Sequence, residues 1–345
     1  MNSKFLFIVG TRPEVIKTYP LINKLGGDVL FTGQHFDQNM SEYFFSLLNN
    51  QNINFINKNY SSLDNHTISQ NIYLKIKELN PEIVFVQGDT NSTLYGAIAT
   101  KYANKKLLYL EAGLRTKNLG QIEEYNRFIV SKLADLNFCN HENNVNNLIN
   151  EGIRKNKIYL SGSTVYASLF PIIEKLNSYE NTNFNNNFIL LTLHRPENTD
   201  NFKKLFKTLN MLNNLNTSIL FVAHPRVLKN INFSSLKKLK NIKIIRPLKY
   251  SDFIKYVLRS RFIISDSGGL QEESQILKKV LIIPREHTER PELLDGYNFL
   301  AKNDSELNYL VKQAIESNLL INNDNLLYGN MNVIDKIIKK VNSFI

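Results

Sequence analysis

The sequence predicts an α/β protein made of two doubly wound domains. Short apolar runs alternate with helical patterns along most of its 345 residues, which is typical of a parallel sheet covered by helices on both faces. The alternation stops once, over residues 177–187, where Asn, Ser and Thr dominate, and then resumes. Because this stretch is rich in turn-forming residues, it predicts a loop or linker between the domains.

Six apolar runs in the first half predict the strands of one parallel sheet. They are Phe5–Val9, Val29–Thr32, Ile83–Gln87, Leu107–Glu111, Leu136–Cys139 and Lys157–Leu160. Between them, apolar residues recur at helical spacing, as in Ser92–Tyr102 and Glu123–Leu133. This order of strand and helix predicts crossover connections and a sheet with helices on both faces.

Five further runs predict a second sheet, and the helical spacing resumes with them. The runs are Phe188–Leu193, Ile219–Ala223, Ile242–Ile245, Phe262–Ser265 and Val280–Ile283. Helices are predicted at Phe202–Leu212 and Leu270–Leu277, and a final helix has one apolar face formed by Val333, Ile334, Ile337, Ile338 and Val341. Since open α/β sheets bind ligands beyond the carboxyl ends of their strands, we expect the site in a cleft between the two domains.

Composition excludes several classes of protein. The single cysteine, Cys139, excludes a disulfide framework and a cysteine metal cluster. The first apolar run is too short for a signal peptide or a membrane span, so we expect a cytoplasmic protein without membrane contact. There is no His-x-x-x-His pair and no compact carboxylate cluster, so the sequence predicts no metal site.

The charge balance indicates an anionic ligand rather than a nucleic acid. The formal net charge is +11, with 42 Lys and Arg against 31 Asp and Glu. The lysines are scattered, as in Phe202–Leu205 and Lys336–Lys340, which is typical of the solvated faces of amphipathic helices and not of a nucleic-acid stripe. A small phosphate-bearing metabolite fits the positive sign equally well.

Unusual polar residues follow the predicted strands almost directly. After the first strand comes Gly10–Lys17, in which the glycine permits a tight turn and Pro13 suits the first position of a helix. Arg12 then lies at a helix N-terminus, with Lys17 about one turn further on, where both can bind a diphosphate. The alternative is a solvated turn without a ligand.

Carboxylates follow the third and fourth strands and begin the next helix. Asp89 and Glu111 come at the strand ends, and the pair Glu123 and Glu124 follows shortly after. Carboxylates that share a closed site raise one another's pKa, which is how acid and base roles separate near neutral pH. The alternative is that Asp89 caps a helix and Glu111 pairs with Arg115.

The second half has its own polar strand ends. His194 and Arg195 follow one strand and His224 follows the next, which favours a polar cleft over isolated structural histidines. In Ser265–Glu273, a strand leads into a Ser-Gly-Gly turn that opens a helix. The backbone N–H groups of this turn predict a phosphate cradle that is neither a P-loop nor a GxGxxG fingerprint. The cradle residues are Ser267, Gly268 and Gly269, and Glu273 lies where it can accept both ribose hydroxyls.

Seven motifs occur in one order from end to end: Gly10–Glu14, Gly88–Thr90, Glu111–Arg115, Glu123–Arg127, His194–Asn198, Asp266–Glu273 and Thr288–Glu292. As an ordered set they resemble the UDP-N-acetylglucosamine 2-epimerase family of the non-hydrolysing type. The resemblance implies a GT-B-like fold of two Rossmann-like domains, residues 1–170 and a nucleotide-binding domain of residues 171–329. It implies that a C-terminal helix of about residues 330–345 packs back on the first domain. It also implies no metal or nicotinamide cofactor, a UDP-sugar substrate and a homodimer.

The resemblance also implies roles for individual residues. The family's acid/base carboxylates and its active-site histidine are matched by Asp89, Glu111, Glu123 and His194. The contacts to the UDP-sugar are matched by Arg12, Lys17, Arg127, Ser267, Gly268, Glu273 and Arg290, and Arg195 and Gly269 are expected beside them. Leu248 and Phe253 fall where the family holds uracil, the first by its backbone and the second by its ring.

The implied reaction inverts C2 of a UDP-N-acetylhexosamine. The C2 hydrogen is not acidic, so UDP leaves C1 by anti elimination to give a 2-acetamidoglucal, and then adds back in a syn step with the proton on the opposite face. A hydrolysing 2-epimerase that releases UDP and N-acetylmannosamine, and a GT-B glycosyltransferase, stay open as alternatives. The intact Gly88–Thr90 and His194–Arg195 favour the non-hydrolysing reaction, and the three carboxylates argue against the transferase.

Three departures from the family pattern leave the sugar and its regulation open. The loop Thr116–Ile122 is short and lacks the usual Pro and Trp, and His287 stands where a small residue is common. Both lie near the expected sugar, so modifications at C3 or C6 stay open. The segment Gln34–Gln38 keeps only part of the pattern of the family's separate allosteric UDP-sugar site.

Overall fold

Two parallel sheets organise the computed structural model, one in each of two units of the chain. The first unit is Met1–Phe170 with Leu327–Ile345, and the second is Pro171–Leu326. The structure describes residues 3–34, 47–48, 52–56, 65–116, 120–177, 187–230, 239–322 and 325–345. Residues 178–186 of the predicted linker, 35–38 of the segment Gln34–Gln38 and 117–119 of the short loop lie outside the described residues.

The first unit contains a seven-stranded sheet. Its strands are β1 (Phe5–Val9), β2 (Asp28–Phe31), β3 (Ile53–Phe55), β4 (Ile83–Gln87), β5 (Lys106–Ala112), β6 (Leu136–Cys139) and β7 (Ile158–Leu160). They are parallel and lie in the order β3-β2-β1-β4-β5-β6-β7. The helices that follow these strands, as far as the structure describes them, are α1 (Arg12–Leu25), α2 (Asn65–Leu79), α3 (Asn91–Tyr102), α4 (Ile122–Leu133), α5 (Glu142–Asn150) and α6 (Val165–Asn177).

The second unit contains a six-stranded sheet. Its strands are β8 (Ile189–Thr192), β9 (Ile219–Val222), β10 (Ile242–Ile245), β11 (Ile263–Ser265), β12 (Leu281–Pro284) and β13 (Asn298–Ala301). They are parallel and lie in the order β10-β9-β8-β11-β12-β13. The helices described in this unit are α7 (Pro196–Thr199), α8 (Phe202–Asn213), α9 (Pro225–Asn230), α10 (Tyr250–Arg259), α11 (Gly268–Leu277) and α12 (Asp304–Ile315).

The predicted α/β class with two parallel sheets is confirmed, and each predicted strand is present with its ends within one residue. Two strands, β3 and β13, were not predicted. Both are edge strands of three or four residues and both are partly exposed. A half-exposed edge strand carries a weaker apolar run than a central strand, so its signal in the sequence is weak.

The last helix of the chain belongs to the first unit. This helix, α13 (Val333–Phe344), buries Val333, Ile337 and Val341 and contacts α1. Its approach depends on Gly162, which has φ +89° and whose position leaves no room for a Cβ, since that atom would lie 2.5 Å from the carbonyl oxygen of Tyr328. None of the described helices is both long and apolar enough to cross a membrane.

Each sheet has a switch point where the strand order reverses. In the first sheet it lies between β1 and β4, and in the second between β8 and β11. The crevice beyond the carboxyl ends at a switch point is where open α/β sheets bind ligands. The residues that follow these four strands are Gly10, Gly88, His194 and Asp266 with their neighbours. The fold therefore brings the motifs of each half together at one edge of its own sheet.

Candidate active site

A buried glutamate joins the loops that follow β1 and β4. Glu14, in the first turn of α1, accepts hydrogen bonds from the backbone N–H groups of Gly10 (2.6 Å) and Thr11 (3.1 Å), and from the Thr90 hydroxyl (2.6 Å). Burial raises the pKa of Glu14 to about 7, although these hydrogen bonds oppose the shift. The half-buried Arg12 is the first residue of α1, directly after Thr11, so Glu14 fixes the turn that carries it.

Asp89 is held by an arginine and an asparagine of α4. The guanidinium of Arg127 donates to Asp89 Oδ2 through Nη2 and to Glu124 Oε2 (2.8 Å) through Nη1. The Asn126 side chain donates to the Asp89 carbonyl (2.9 Å). Arg127 and Glu124 are buried, whereas the Asp89 side chain is 33% exposed. The carboxylate of Asp89 is thus oriented from beneath, with one side open to a ligand.

Glu111 occupies an unusual backbone conformation at the end of β5. Its φ is +63°, in the left-handed region, and the pairing of β5 with β6 shifts register between Leu110 and Ala112. Such a conformation costs of order 1–3 kcal/mol in a residue other than glycine and is concentrated at functional sites. The side chain is buried and accepts from Lys17 Nζ (2.5 Å) and Gln87 Nε2 (2.6 Å).

Glu111 lies beside the loop that carries Asp89. An ideal Cβ on Gly88, the residue before Asp89, would lie 3.9 Å from Glu111 Oε2. The alternative assignment of these groups is wrong: Thr90 rather than Asp89 caps α3, by accepting from Thr93 N (3.3 Å), and Arg115 pairs with Glu151 rather than Glu111. Neither of these two roles therefore applies, and Asp89 and Glu111 pair instead with Arg127 and Lys17.

The pair at the start of α4 divides its roles. Glu124 is buried and accepts from Arg127 and from the backbone N–H of Thr116 (3.1 Å), so it supports the network beneath Asp89. Glu123, the predicted acid/base residue, is half-buried in the same first turn. Because neighbouring residues on a helix point about 100° apart, the two carboxylates face different surroundings, and Glu123 is the one that faces partly outward.

In the second unit, His194 is bonded to a fully buried aspartate. His194 Nδ1 lies 2.7 Å from Asp266 Oδ1, and Asp266 also accepts from the backbone N–H groups of His194 and Arg195 and from Asn198 Nδ2 (2.9 Å). Burial alone raises the pKa of Asp266, but the hydrogen bonds and the charge of His194 outweigh it and lower the pKa to about 2. The ring of His224 lies 5.9 Å from that of His194, centroid to centroid.

The glycine turn after β11 packs against a cluster of charged residues. Ser267 precedes the first turn of α11, and Gly268 and Gly269 begin the helix. An ideal Cβ on Gly268 would lie 2.2 Å from Glu289 Oε1 and 3.0 Å from Arg290 Nη1, whereas one on Gly269 would meet nothing within 4 Å. The backbone N–H of Ser267 donates to Ser265 Oγ (3.1 Å), so the N–H groups that the predicted phosphate cradle requires at this helix N-terminus are those of the half-buried Gly268 and Gly269.

Arg290 is held by two carboxylates. It donates to Glu272 Oε1 (2.9 Å) and Glu289 Oε1 (2.6 Å), and it is buried. Glu289 also pairs with Arg285 Nη2 (2.9 Å), and Arg195 Nη2 lies 3.8 Å from it. The cluster thus places three arginines around the glycine turn, and two carboxylates fix their positions.

The residues expected to hold uridine lie on and around α10. Glu273 accepts a hydrogen bond from the Tyr250 hydroxyl (2.6 Å). Leu248 and Phe253 are half-buried and pack on the same apolar cluster of this unit. A carboxylate, an aromatic ring and the backbone that precedes α10 are thus grouped at the end of this helix nearest to Glu273.

Sequence reasoning did not find the supporting roles of four residues that organise these groups, namely Glu14, Glu124, Tyr250 and Asp266. Thr11 and Glu14 have the spacing of a capping box, and this pattern was a usable signal for Glu14. Nothing local marks Tyr250, because its partner Glu273 is 23 residues away. Among the described residues, no group of three His, Cys, Asp or Glu side chains has the geometry of a metal site.

The two units offer complementary chemistry. The first has oriented carboxylates at its switch point, which suit proton transfer at a carbon centre. The second has a helix N-terminus, arginines and a histidine at its switch point, which suit a diphosphate and the charge that develops when it leaves.

The chain is similar to known proteins over nearly its whole length. The sequence profile of UDP-N-acetylglucosamine 2-epimerase matches residues 23–342. A UDP-N-acetylglucosamine 2-epimerase of Methanococcus maripaludis is 37% identical over 93% of this chain and 94% of that protein. A UDP-2,3-diacetamido-2,3-dideoxy-D-glucuronate 2-epimerase of Pseudomonas aeruginosa is 33% identical over 94% of this chain and 96% of that protein.

Solved structures show the same similarity. The crystal structure of the Methanocaldococcus jannaschii UDP-GlcNAc 2-epimerase, in complex with UDP-GlcNAc and UDP, has a TM-score of 0.82 and 31% identity, and the match covers 98% of this chain and 99% of that one. This similarity, together with the two parallel sheets, confirms the predicted GT-B-like fold class.

Proposed function

Since the chain belongs to the UDP-N-acetylglucosamine 2-epimerase family, we propose that it inverts C2 of a UDP-N-acetylhexosamine without net hydrolysis. The observation that carries this proposal is the pair of oriented carboxylates, Asp89 and Glu111, at the switch point of the first sheet. The reaction needs a base that removes the C2 proton while UDP leaves C1, and then an acid that returns a proton to the opposite face. Both steps are proton transfers at one carbon, for which oriented carboxylates are suited.

Asp89, Glu111 and Glu123 are the proposed acid/base groups. Lys17 donates to Glu111, and Arg127 donates to Asp89, so a cation fixes the position of each carboxylate. This geometry supports a positioning role for Lys17 and Arg127 in addition to the diphosphate contacts that the family resemblance implies for them. Fixed carboxylates lower the reorganisation that proton transfer requires.

The second unit is the proposed site of the UDP moiety. Ser267, Gly268 and Gly269 are proposed to contact the diphosphate, the two glycines through their backbone N–H groups, with Arg195 and Arg290 beside them. Arg12 is the further diphosphate contact that the family resemblance implies. His194 is the group proposed to act on the departing phosphate. Uridine is proposed to contact Glu273 through its ribose, and Leu248 and Phe253 through its base. No cofactor takes part in this scheme, because elimination and re-addition involve no net oxidation or reduction. UDP leaves C1 and returns to it, and a proton that has exchanged with solvent replaces the one removed from C2.

The sugar is an N-acetylhexosamine whose substituents at C3 and C6 differ among relatives. One relative is named for UDP-N-acetylglucosamine, and another for a diacetamido glucuronate. His287, which is exposed and follows β12, is the residue through which we expect this chain to differ in its sugar contacts. Comparing the turnover of UDP-GlcNAc with that of UDP-2,3-diacetamido-2,3-dideoxy-D-glucuronate measures this preference.

A homodimer is part of the proposal, and one face of α4 supports it. Four apolar side chains at helical spacing are exposed on this helix: Ile122 (60%), Tyr125 (48%), Phe128 (45%) and Ile129 (39%). Contiguous exposed apolar residues of this kind mark an interaction surface. The partner proposed is a second copy of this chain, as the family resemblance implies.

Deuterium incorporation tests the reaction. The protein is incubated with UDP-GlcNAc in D₂O without added cofactor, and the products are followed by NMR. The expected 2-epimer carries deuterium at C2, and starting material recovered near equilibrium carries it as well. Product that keeps hydrogen at C2 rules out the elimination route. Irreversible release of UDP and free N-acetylmannosamine indicates the hydrolysing reaction, and transfer only to an added acceptor indicates the glycosyltransferase.

A further inference from the structure

We propose that Asp266 is a positioning residue that holds the imidazole of His194 with its proton on Nδ1, so that Nε2 faces the substrate. The proposal rests on the function proposed above for His194, but the placement of the proton is a property of the protein alone. Asp266 is the first residue of the motif Asp266–Glu273, and the sequence predicts no role for its side chain.

The geometry around Asp266 specifies which of its oxygens faces the histidine. Oδ1 lies 2.7 Å from His194 Nδ1 and accepts from the His194 backbone N–H (3.1 Å). Oδ2 accepts from the backbone N–H of Arg195 (3.0 Å) and from Asn198 Nδ2 (2.9 Å). The Asp266 side chain is fully buried, so no water competes for these bonds.

Every group that contacts the Asp266 carboxylate is a donor, which fixes the tautomer. An ionised carboxylate accepts hydrogen bonds and cannot donate one, and the pKa of Asp266, about 2, keeps it ionised at neutral pH. A neutral His194 must therefore carry its proton on Nδ1, facing Oδ1. The remaining nitrogen, Nε2, belongs to a side chain that is 39% exposed, and it is free to accept a proton in the neutral ring.

This arrangement suits the departure of a diphosphate. When Nε2 gains a proton, the ring becomes a cation, and the adjacent Asp266 carboxylate balances that charge. The imidazolium then donates a hydrogen bond from Nε2 to a phosphate oxygen as negative charge develops on the leaving UDP. Without the carboxylate, neither the Nδ1 proton nor the ring cation is stabilised.

The substitution Asp266→Asn reverses the tautomer while keeping the shape of the side chain. The oxygen of the new amide takes the Oδ2 position, because three donors reach it there: the backbone N–H groups of Arg195 (3.0 Å) and His194 (3.2 Å), and Asn198 Nδ2 (2.9 Å). The NH₂ group of the amide then faces His194 Nδ1, which must become an acceptor, so the proton moves to Nε2. Replacing the carboxylate partner of a catalytic histidine by its amide has lowered kcat by about 10⁴-fold elsewhere, through this change of tautomer.

Asn198→Ala is the matched control. It removes one hydrogen bond from Asp266 Oδ2 but leaves the carboxylate and its contact with Nδ1 in place. A loss of local packing affects both variants, whereas a loss of the correct tautomer affects only Asp266→Asn.

The tautomer is read by two-bond ¹H–¹⁵N NMR on protein with labelled histidines, at a pH near 9. The sequence contains six histidines, and a His194→Gln spectrum identifies the resonances of His194. We expect the Nδ1-protonated form in the wild type and in Asn198→Ala, and the Nε2-protonated form in Asp266→Asn. An unchanged tautomer in Asp266→Asn overturns the proposal, whatever the activity of the protein.

A kinetic cycle tests whether Asp266 acts through His194. We expect Asp266→Asn to lower kcat by about 10²-fold or more while changing the Kd for UDP by less than about threefold, and Asn198→Ala to lower kcat by less than about tenfold. In the His194→Gln background, Asp266→Asn should have no further effect on kcat, because the residue on which it acts is gone. If the two substitutions lower kcat additively in the double variant, Asp266 does not act through His194. If the wild-type protein does not epimerise UDP-GlcNAc, the proposed function is wrong, but the tautomer measured by NMR still tests the role of Asp266.

Discussion

Replacing Gly268 by alanine should disrupt the proposed phosphate cradle from within the protein. The added Cβ would lie 2.2 Å from Glu289 Oε1 and 3.0 Å from Arg290 Nη1. Ordinary carbon–oxygen contacts are longer than about 3 Å, so the Glu289 carboxylate must move by about 1 Å. It is buried and bonded to Arg285 and Arg290, so this movement strains two ion pairs at once.

The size of the effect follows from two opposing terms. Forcing one extra carbon into a packed site costs typically about 1–3 kcal/mol, and replacing glycine by alanine in a helix recovers roughly 0.5–1 kcal/mol. The net loss lies between about 0 and 2.5 kcal/mol and is centred on about 1 kcal/mol, which lowers the melting temperature of a unit of this size by roughly 2–4 °C. Because the displaced Arg290 borders the cradle, we expect the Kd for UDP to rise by about tenfold or more.

Gly269→Ala is the control for Gly268→Ala. The added Cβ meets nothing within 4 Å, and alanine keeps the backbone N–H that the cradle uses. We expect a melting temperature that is unchanged or slightly raised and a Kd for UDP within about threefold of the wild type. Thermal melting and calorimetric titration of UDP measure both quantities. Equal shifts in the two variants, or unchanged UDP binding in Gly268→Ala, would refute the proposed geometry of the cradle.

Three further predictions address the first unit. Asp89→Asn and Glu111→Gln should each lower kcat by about 10²–10⁴-fold, while the Kd for UDP stays within about threefold of the wild-type value. Turnover near the wild-type rate in both variants, measured by NMR, contradicts an acid/base role for these carboxylates. Burial raises the pKa of Glu14 from 4.5 to about 7, so the folded protein binds the proton of Glu14 more tightly than the unfolded chain does. The free energy of unfolding should therefore fall by on the order of 3 kcal/mol as the pH rises from 4.5 to about 7. Glu14→Gln should flatten this dependence in urea unfolding curves, and an equally steep curve in the variant argues against Glu14 as its source. Phe128→Glu should convert a dimer to a monomer, as measured by light scattering. Tyr102→Glu, which changes a residue that is 77% exposed, should leave the mass unchanged. If the Phe128→Glu protein also keeps the mass of a dimer, this face of α4 is not the interface.

Most of the fold could be predicted because buried parallel strands leave continuous apolar runs in the sequence. Phe5–Val9 and Ile83–Gln87 are buried at every position, so their pattern is unambiguous. The four edge strands are short and partly exposed, and they give a weaker signal: β7 and β10 were predicted, whereas β3 and β13 were not. Every central strand of the two sheets was predicted, but only half of the edge strands were.

The candidate site was predictable as a set of residues but not as a set of contacts. Asp89 and His194 follow strands and Glu111 lies at the end of one, and within each unit the strand ends beside the switch point lie near one another. Their partners could not be inferred, because Lys17 and Glu111 are 94 residues apart in sequence and many basic residues lie nearer. The alternative pairing of Glu111 with Arg115 is wrong for this reason: a local partner was available, but the fold brings Lys17 of α1 to Glu111 of β5 instead.

The two units solve the same structural problem with one device. In each unit, a buried carboxylate accepts hydrogen bonds from the backbone N–H groups of one loop and also connects that loop to the loop across the switch point. Glu14 connects the loops after β1 and β4 in this way, and Asp266 connects the loops after β8 and β11. The two carboxylates differ in their pKa because their partners differ. Hydroxyl and amide donors leave the burial of Glu14 uncompensated, whereas an imidazole that can carry charge stabilises the ionised form of Asp266. The loop that carries Asp89 is therefore fixed by Glu14, whose pKa lies near neutral pH, and the loop that carries His194 is fixed by Asp266, which stays ionised.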